Sequence, residues 1–419
     1  MKITHAERIA LNIPFYAEHV DHAMARANTH NERVWVYRLE TDNGMVSITD
    51  GHGASDTEGL IGKNPWSLLW NDDIGFGPQV AVFDLCGQDA GVPIHVLLGN
   101  KLRDRCPLSW WDIDMSPENW VKEAKESLKR GYTSFKMKAR PWWDILEQID
   151  TVSEVVPADY KFDVDFNGFL LTQARAEQIL TQLDQRINVG IYESPYYLFK
   201  DRKGAQMLRE RIQKPIVDHF REELWVDQVS DGFVVGGGAS GTKRQAIMCA
   251  ALNKPFWLQM VGSGMTTTFA AHIGSVLSHA QLPYITCHEL WKTDLLKKRI
   301  NVVDGYMQVP DKPGLGVEVD LKAIEKYRVD PDEPTSGDRY RAKKRILRVV
   351  WPGASKKTRV REFTSENIYQ PEFYKGNLPG FERGVHLEII EDDRSSSFKK
   401  AHAKLLALEA TVARAPKGI

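Results

Sequence analysis

The chain has few cysteines. Cys86, Cys106, Cys249 and Cys287 are spread through 419 residues with no CxxC pair, which excludes a disulfide framework and a zinc knuckle. They are expected to be reduced and buried. Net charge is also missing: 55 basic residues against 56 acidic ones give a formal charge of -1, and the two signs are mixed along the chain. Neither a nucleic-acid surface nor a polybasic membrane anchor is indicated. The expected partner is a small molecule, with no nucleic acid and no membrane. Long apolar runs are absent as well. No stretch reaches the roughly 18 residues of a membrane span, and "MKITHAERIALNIP" has neither the apolar core of a signal peptide nor a twin-arginine pair. A cytoplasmic protein is expected.

With 42% hydrophobic and 26% charged residues, the composition is that of a folded chain long enough for two or three domains. Three textures divide it. Residues 1–104 combine "VWVYRLETDNGMVSI", a hairpin pattern around Asp42–Gly44, with a helical stretch "GPQVAVFDLCGQDAG" that Gly91 can cap. This predicts a small α+β unit. In residues 105–300, eight short apolar runs alternate with amphipathic segments, among them "TSFKMK", "YKFDVDF", "VGIYESP" and "KPIVDHF". Lys138 to Asp165 is 27 positions, Asp165 to Glu193 is 28 and Glu193 to Asp218 is 25, which suits one strand, one helix and two loops per unit. The step to Asp231 is only 13, so that connection is shortened. Such units predict an α/β fold with a parallel barrel, although a doubly wound sheet shares the periodicity. Residues 301–328 add a hairpin, a Pro/Gly turn and a short helix. Residues 329–419 open on a charged stretch, offer strands in "ILRVVW" and "VHLEII", and close on an amphipathic helix. This extension has no assigned role, and reads as an assembly arm or a partly disordered tail.

In a βα barrel the reactive groups sit where strands end, and those ends are strongly polar here. The second strand offers Lys136 and Lys138, the third Asp163, Asp165 and Asn167, the fourth Glu193, and the fifth Asp218 and His219. Three converging carboxylates with no arginine at those ends would repel one another unless a divalent cation lay among them. Oxygen ligands alone suit Mg²⁺ or Mn²⁺ better than zinc. Lys136 and Lys138, two apart on a strand, share a face. Beside a cation and apolar walls, a lysine becomes a usable base. A lone Lys-x-Lys, by itself, is more often a solvated edge, and "DVDFN" a turn or cap. The combination at matching spacing favours chemistry.

These residues, with "VAVFDLCGQDAGVPIHVLLGNKLRD" and "VPDKPGLGVEVD", resemble the enolase superfamily, in its mandelate racemase and muconate lactonizing enzyme branch, over roughly residues 1–328. The resemblance implies a modified (β/α)₇β TIM-type barrel with an N-terminal α+β capping domain, whose loops near Phe15–Asn31 and Asp50–Leu60 close over a small carboxylate substrate. It implies Mg²⁺ on Asp165, Glu193 and an acid of strand five, Lys138 as the base that takes the α-proton, and Lys136 on the enolate oxygen. Dimers or octamers are implied too.

Three departures matter. Asp218 follows Pro215 by three places, where four or five are usual, so His219 or Glu222 competes with it as third ligand. Strand six offers Val234 or Val235 in place of a lysine. Strand seven offers Gln259 in place of a histidine, which leaves Asp231 without a dyad partner. With one base supplied, the expected reaction is loss of water from a sugar acid, with His219, or else His288, as the acid. Asn167, Gln259 and Trp111 are expected against the substrate. The alternatives are a racemase, epimerase or cycloisomerase with an unrecognised second base, and a barrel that binds ligand without turnover. A zinc hydrolase lacks support, since strand one reads "SWWDID" without His-x-His.

Overall fold

The computed structural model describes residues 1–27, 30–51, 53–221, 229–353 and 357–413. The first ninety residues build a three-stranded antiparallel sheet of β1 (Ile3–Asn12), β2 (Arg33–Thr41) and β3 (Val46–Gly51). Gly44 makes the β2–β3 turn at φ +81°, a conformation that suits glycine. Against this sheet lies the helix Phe76–Ala90, buried over most of its length and ended by Gly91 in the left-handed region, as its sequence predicts.

A short β4 (Arg105–Pro107) leads into the barrel. Its strands are β5 (Trp110–Asp112), β6 (Ser134–Lys138), β7 (Lys161–Asp165), β8 (Val189–Glu193), β9 (Ile216–His219), β10 (Gly232–Val235) and β11 (Phe256–Leu258). They pair in sequence order, every pair parallel. An irregular eighth segment closes the ring: Tyr284 bridges Leu108 just before β5, and Ile285 bridges Gln259 just after β11. The intervening helices begin where capping residues dictate. Ser116 caps Pro117–Lys129 with proline at the first turn, Asp144 caps Ile145–Ser153, and Thr172 caps Gln173–Leu183.

Two carboxylates of the first unit dock it onto the barrel. Asp50 accepts from Thr266 N (2.9 Å) at the start of the helix Gly264–Val276. Asp72 accepts from Ser240 N (3.0 Å) and Gly241 N (2.7 Å) at the start of Ala239–Ala251. Each satisfies helix-terminal N–H groups and the positive end of the dipole. The hairpin of β12 (Val302–Val303) and β13 (Tyr306–Gln308) pairs with β4, and Val329 N then donates to Ala10 O on β1 (3.0 Å).

The extension is folded and packed. β14 (Arg345–Pro352) is the centre of an antiparallel sheet with β15 (Thr358–Phe363) and β16 (His386–Glu391), so both expected strands form and pair. Its residues 369–385 lie on the barrel: the Trp142 ring meets Tyr369 at 5.4 Å, Phe166 meets Phe381 at 5.6 Å and Phe169 stacks on Tyr374 at 5.9 Å. Among the described residues, no helix is long and apolar enough to cross a membrane.

Candidate active site

Parallel registry sets the site. Lys138 pairs with Asp165 across β6–β7, and Asp165 with Glu193 across β7–β8, so the three side chains leave neighbouring strands at one level. Strand alternation sends Lys136, Asp163 and Asp165 to the same interior face. All of these are buried. Lys136 forms ion pairs with Glu193 and, at 3.6 Å, with Asp165; Lys138 pairs with Asp165.

The two lysines are pushed in opposite directions. Burial lowers the Lys136 ammonium's affinity for its proton, but Glu193 and Asp165 outweigh it and hold the pKa above the usual range. Lys138 lies below that range: burial dominates, and the positive charges of Lys136 and Arg140 add to it against Asp165. Burial also pushes Asp163 up to about 7 and Asp218 up to about 6. Asp165 is held low because Lys138 and Lys136 overcome its burial.

Asp218 accepts from Ser194 Oγ (2.6 Å) and from its neighbour's backbone, His219 N (2.8 Å). His219 is half exposed, with Nε2 3.4 Å from Glu193 Oε1. Gln259 Oε1 accepts from Lys136 Nζ (3.1 Å). The Trp111 ring lies 6.0 Å from Lys138 Nζ, with His30 of the first unit at its edge (4.9 Å). Asn167, at φ 45° just past β7, turns inward on its own strand, donating to Asp165 through its backbone N–H (2.8 Å) and its side-chain amide (3.3 Å). Glu222 and His52 lie outside the described residues.

Among the described residues, no three acidic, histidine or cysteine side chains come close enough to hold a cation, because the Lys136 ammonium lies between Asp165 and Glu193. The donor set nevertheless fits one. Both Glu193 carboxylate oxygens are buried and, their ion pairs with Lys136 and His219 apart, have no hydrogen-bond donor, the donors are hard oxygens, and four acidic side chains (Asp163, Asp165, Glu193, Asp218) stand beside two lysines.

Three expectations are corrected. Asp231 is not at this mouth: it precedes β10, accepts from Ile216 N (2.8 Å) at the opposite rim and pairs with Arg209 (2.8 Å). His288 is a buried group between Tyr132 Oη (3.3 Å) and Thr286 Oγ1 (3.0 Å), and burial pushes it down to about 3, so it is a neutral structural histidine. An arginine does stand at a strand end. Arg140, two places beyond Lys138, is partly buried, with Cζ 5.3 Å from the Phe169 ring and Nε 4.0 Å from Asp114 Oδ1. In "KMKARPWW" its period-two spacing from Lys136 and Lys138 is the signal that pointed to it.

Asp114, just past β5, was also missed. Its Oδ2 accepts from Trp142 Nε1 (2.8 Å), Trp143 Nε1 (3.0 Å) and Arg26 Nη2 (2.9 Å), and Arg26 also pairs with Glu366 of the extension. The two tryptophans are buried packing residues.

The chain is similar to several known proteins. Residues 226–323 match the family model described as enolase C-terminal domain-like. The chain is 26% identical over 271 residues to the arabinonate dehydratase of Saccharolobus solfataricus, covering 60% of this chain and 71% of that one. It is 23% identical over 287 residues to the D-gluconate dehydratase of Thermoproteus tenax, covering 62% of this chain and 57% of that one. Among solved structures, the N-succinyl Arg/Lys racemase of Bacillus cereus superposes with a TM-score of 0.67 at 20% identity, over 79% of this chain and 99% of that one.

Proposed function

Because the chain belongs to the enolase superfamily, in its mandelate racemase and muconate lactonizing enzyme branch, we propose that it is a hydro-lyase that removes the proton α to a carboxylate and expels water from a sugar acid. The observation that carries this reading is the split between two adjacent lysines on one face: Lys138 is the one eased toward neutrality and Lys136 the one held charged.

Lys138 accepts the α-proton, and its position beside Trp111 keeps water from competing for it. Lys136, charged and fixed by Glu193 and Gln259, faces the negative charge that develops on the substrate's oxygen, where a preorganised cation in a dry site is most effective. His219, half exposed and 3.4 Å from Glu193, gives a proton to the departing β-hydroxyl. Asp165, Glu193 and Asp218 would hold Mg²⁺, which when bound polarises the substrate carboxylate and makes the α-hydrogen more acidic. Asn167 keeps Asp165 aimed, and Gln259 and Trp111 line the substrate's side of the lysines.

Strand six and strand seven supply no second base, since Val234 and Val235 are buried apolar residues and Gln259 is an amide. This favours elimination over racemisation. The test is incubation of a panel of mono- and diacid sugars with Mg²⁺ in deuterated water. A 2-keto product is the expected result. Exchange of the α-proton without a keto product would overturn dehydration in favour of epimerisation, and neither exchange nor product across the panel would leave a binding barrel.

A further inference from the structure

The loops that follow β6, β7 and β8 form one side of the mouth, and all three are buttressed by the extension. Asp144 N donates to Val385 O (3.0 Å) and Phe381 N to Pro141 O (2.9 Å), which pins the loop after β6. Phe381 and Tyr374 cover Phe166 and Phe169 after β7, and Arg175 reaches Gly380 O (2.7 Å) from the next helix. Tyr374 also neighbours Tyr197, after β8, and Arg140. Arg140 is thus held between the catalytic strand end and the extension.

Its guanidinium is only partly used. One Nη1 bond goes to Ala139 O (2.9 Å). Its Nε lies 4.0 Å from Asp114 Oδ1, beyond hydrogen-bond reach. Arg140 therefore has donors to spare in a flat fork suited to a carboxylate, two residues past the end of β6 at Lys138.

We infer that Arg140 binds a second carboxylate, at the far end of the substrate, and that the extension is the wall that holds Arg140 at the mouth; this rests on the proposed function and narrows its substrate class to diacids. The substrate's first carboxylate sits with Lys136 and the acidic cluster, and its second reaches Arg140, two residues beyond Lys138.

Tartrate and threonate test this, being four-carbon hydroxy acids that differ by one carboxylate. Binding of each is measured by calorimetry on the full chain with Mg²⁺. Tartrate is expected to bind at least about tenfold more tightly, the size of one charge-assisted fork. In Arg140→Gln that ratio falls to about one, Arg140→Lys recovers part of it, and Tyr374→Phe lowers it less. A wild-type ratio near one, or an Arg140→Gln protein that keeps the wild-type ratio, would overturn the inference. Thermal unfolding of each variant separates misfolding from lost recognition, and Arg140→Lys decides the matter if Arg140→Gln does not fold. Because binding is read without turnover, diacid preference with no α-proton exchange would sink the proposed reaction and leave Arg140's role standing.

Discussion

Two of the clusters of buried carboxylates in this protein are handled differently. At the mouth, Asp165 and Glu193 face the ammonium groups of Lys136 and Lys138. On the outer side of β5, the Glu123 carboxylate is buried without a lysine or arginine bonded to it: it accepts from Tyr16, from His19 (2.6 Å) and from Trp110 Nε1 (2.9 Å). Burial would raise Glu123, but bonds from His19, Asp112 and Tyr16 outweigh it; Asp112 beside it is pushed well above the carboxylate range by burial and by Glu123, so it stays protonated. In the outer cluster both Glu123 oxygens have hydrogen-bond donors and Asp112 keeps its proton, and so the cluster is structural. The mouth keeps charged groups opposed and leaves the Glu193 oxygens with ion pairs alone. Unsatisfied, charged and buried groups mark the place where a ligand completes the balance.

The sharpest way to break this contrast is to remove the base. Lys138→Met is expected to lower α-proton exchange in deuterated water by at least about a hundredfold, the usual contribution of a positioned base, whereas Glu123→Gln leaves exchange per folded molecule near the parent value. Comparable losses in both, followed by NMR of the exchanging proton, would erase the distinction.

The next effect separates the two clusters by metal. Glu193→Gln is expected to weaken Mg²⁺ binding, read by calorimetry, by at least about tenfold. Glu123→Gln should leave it unchanged, because Glu123 already has its donors.

Stability should rank the other way. Glu123→Ala strips the acceptor from Tyr16, His19 and Trp110 at once, and is expected to cost about 2–4 kcal/mol in urea unfolding. Loss of less than about 1 kcal/mol would show that these donors find other partners.

The mouth was legible in the sequence because strand alternation and a near-constant unit length carry Lys136, Lys138, Asp165, Glu193 and Asp218 to the same ends of neighbouring strands. Asp231 was misplaced for a specific reason: a carboxylate beside a short apolar run can open the strand or end it, and only the backbone bond from Ile216 decides. The outer cluster and the wall formed by the extension were not legible. Tyr16 and Glu123 lie 107 positions apart, and Arg26 and Glu366 lie 340 apart. No local period links residues that the barrel's closure brings together. His288 looked catalytic because its chemistry is versatile, and its burial could not be read from "ITCHEL".

That histidine and its neighbour Glu289 give the smallest effect per step, and it has two signs. Burial pushes Glu289 from 4.5 up to about 8 and His288 from 6.5 down to about 3, so the fold keeps both neutral. As pH rises from 4.5 to 8 the unfolded chain sheds the Glu289 proton while the fold retains it, and stability falls. As pH drops from 6.5 to 3 the unfolded chain protonates His288 while the fold resists, and stability falls again. Each limb has a slope of at most about 1.4 kcal/mol per pH unit. Glu289→Gln is expected to flatten the alkaline limb alone, and His288→Gln the acid limb alone, in thermal midpoints measured from pH 4 to 8.5. If both variants moved the same limb, the two groups would share one proton, and this corner would resemble the Asp112–Glu123 pair more than an isolated acid beside an isolated base.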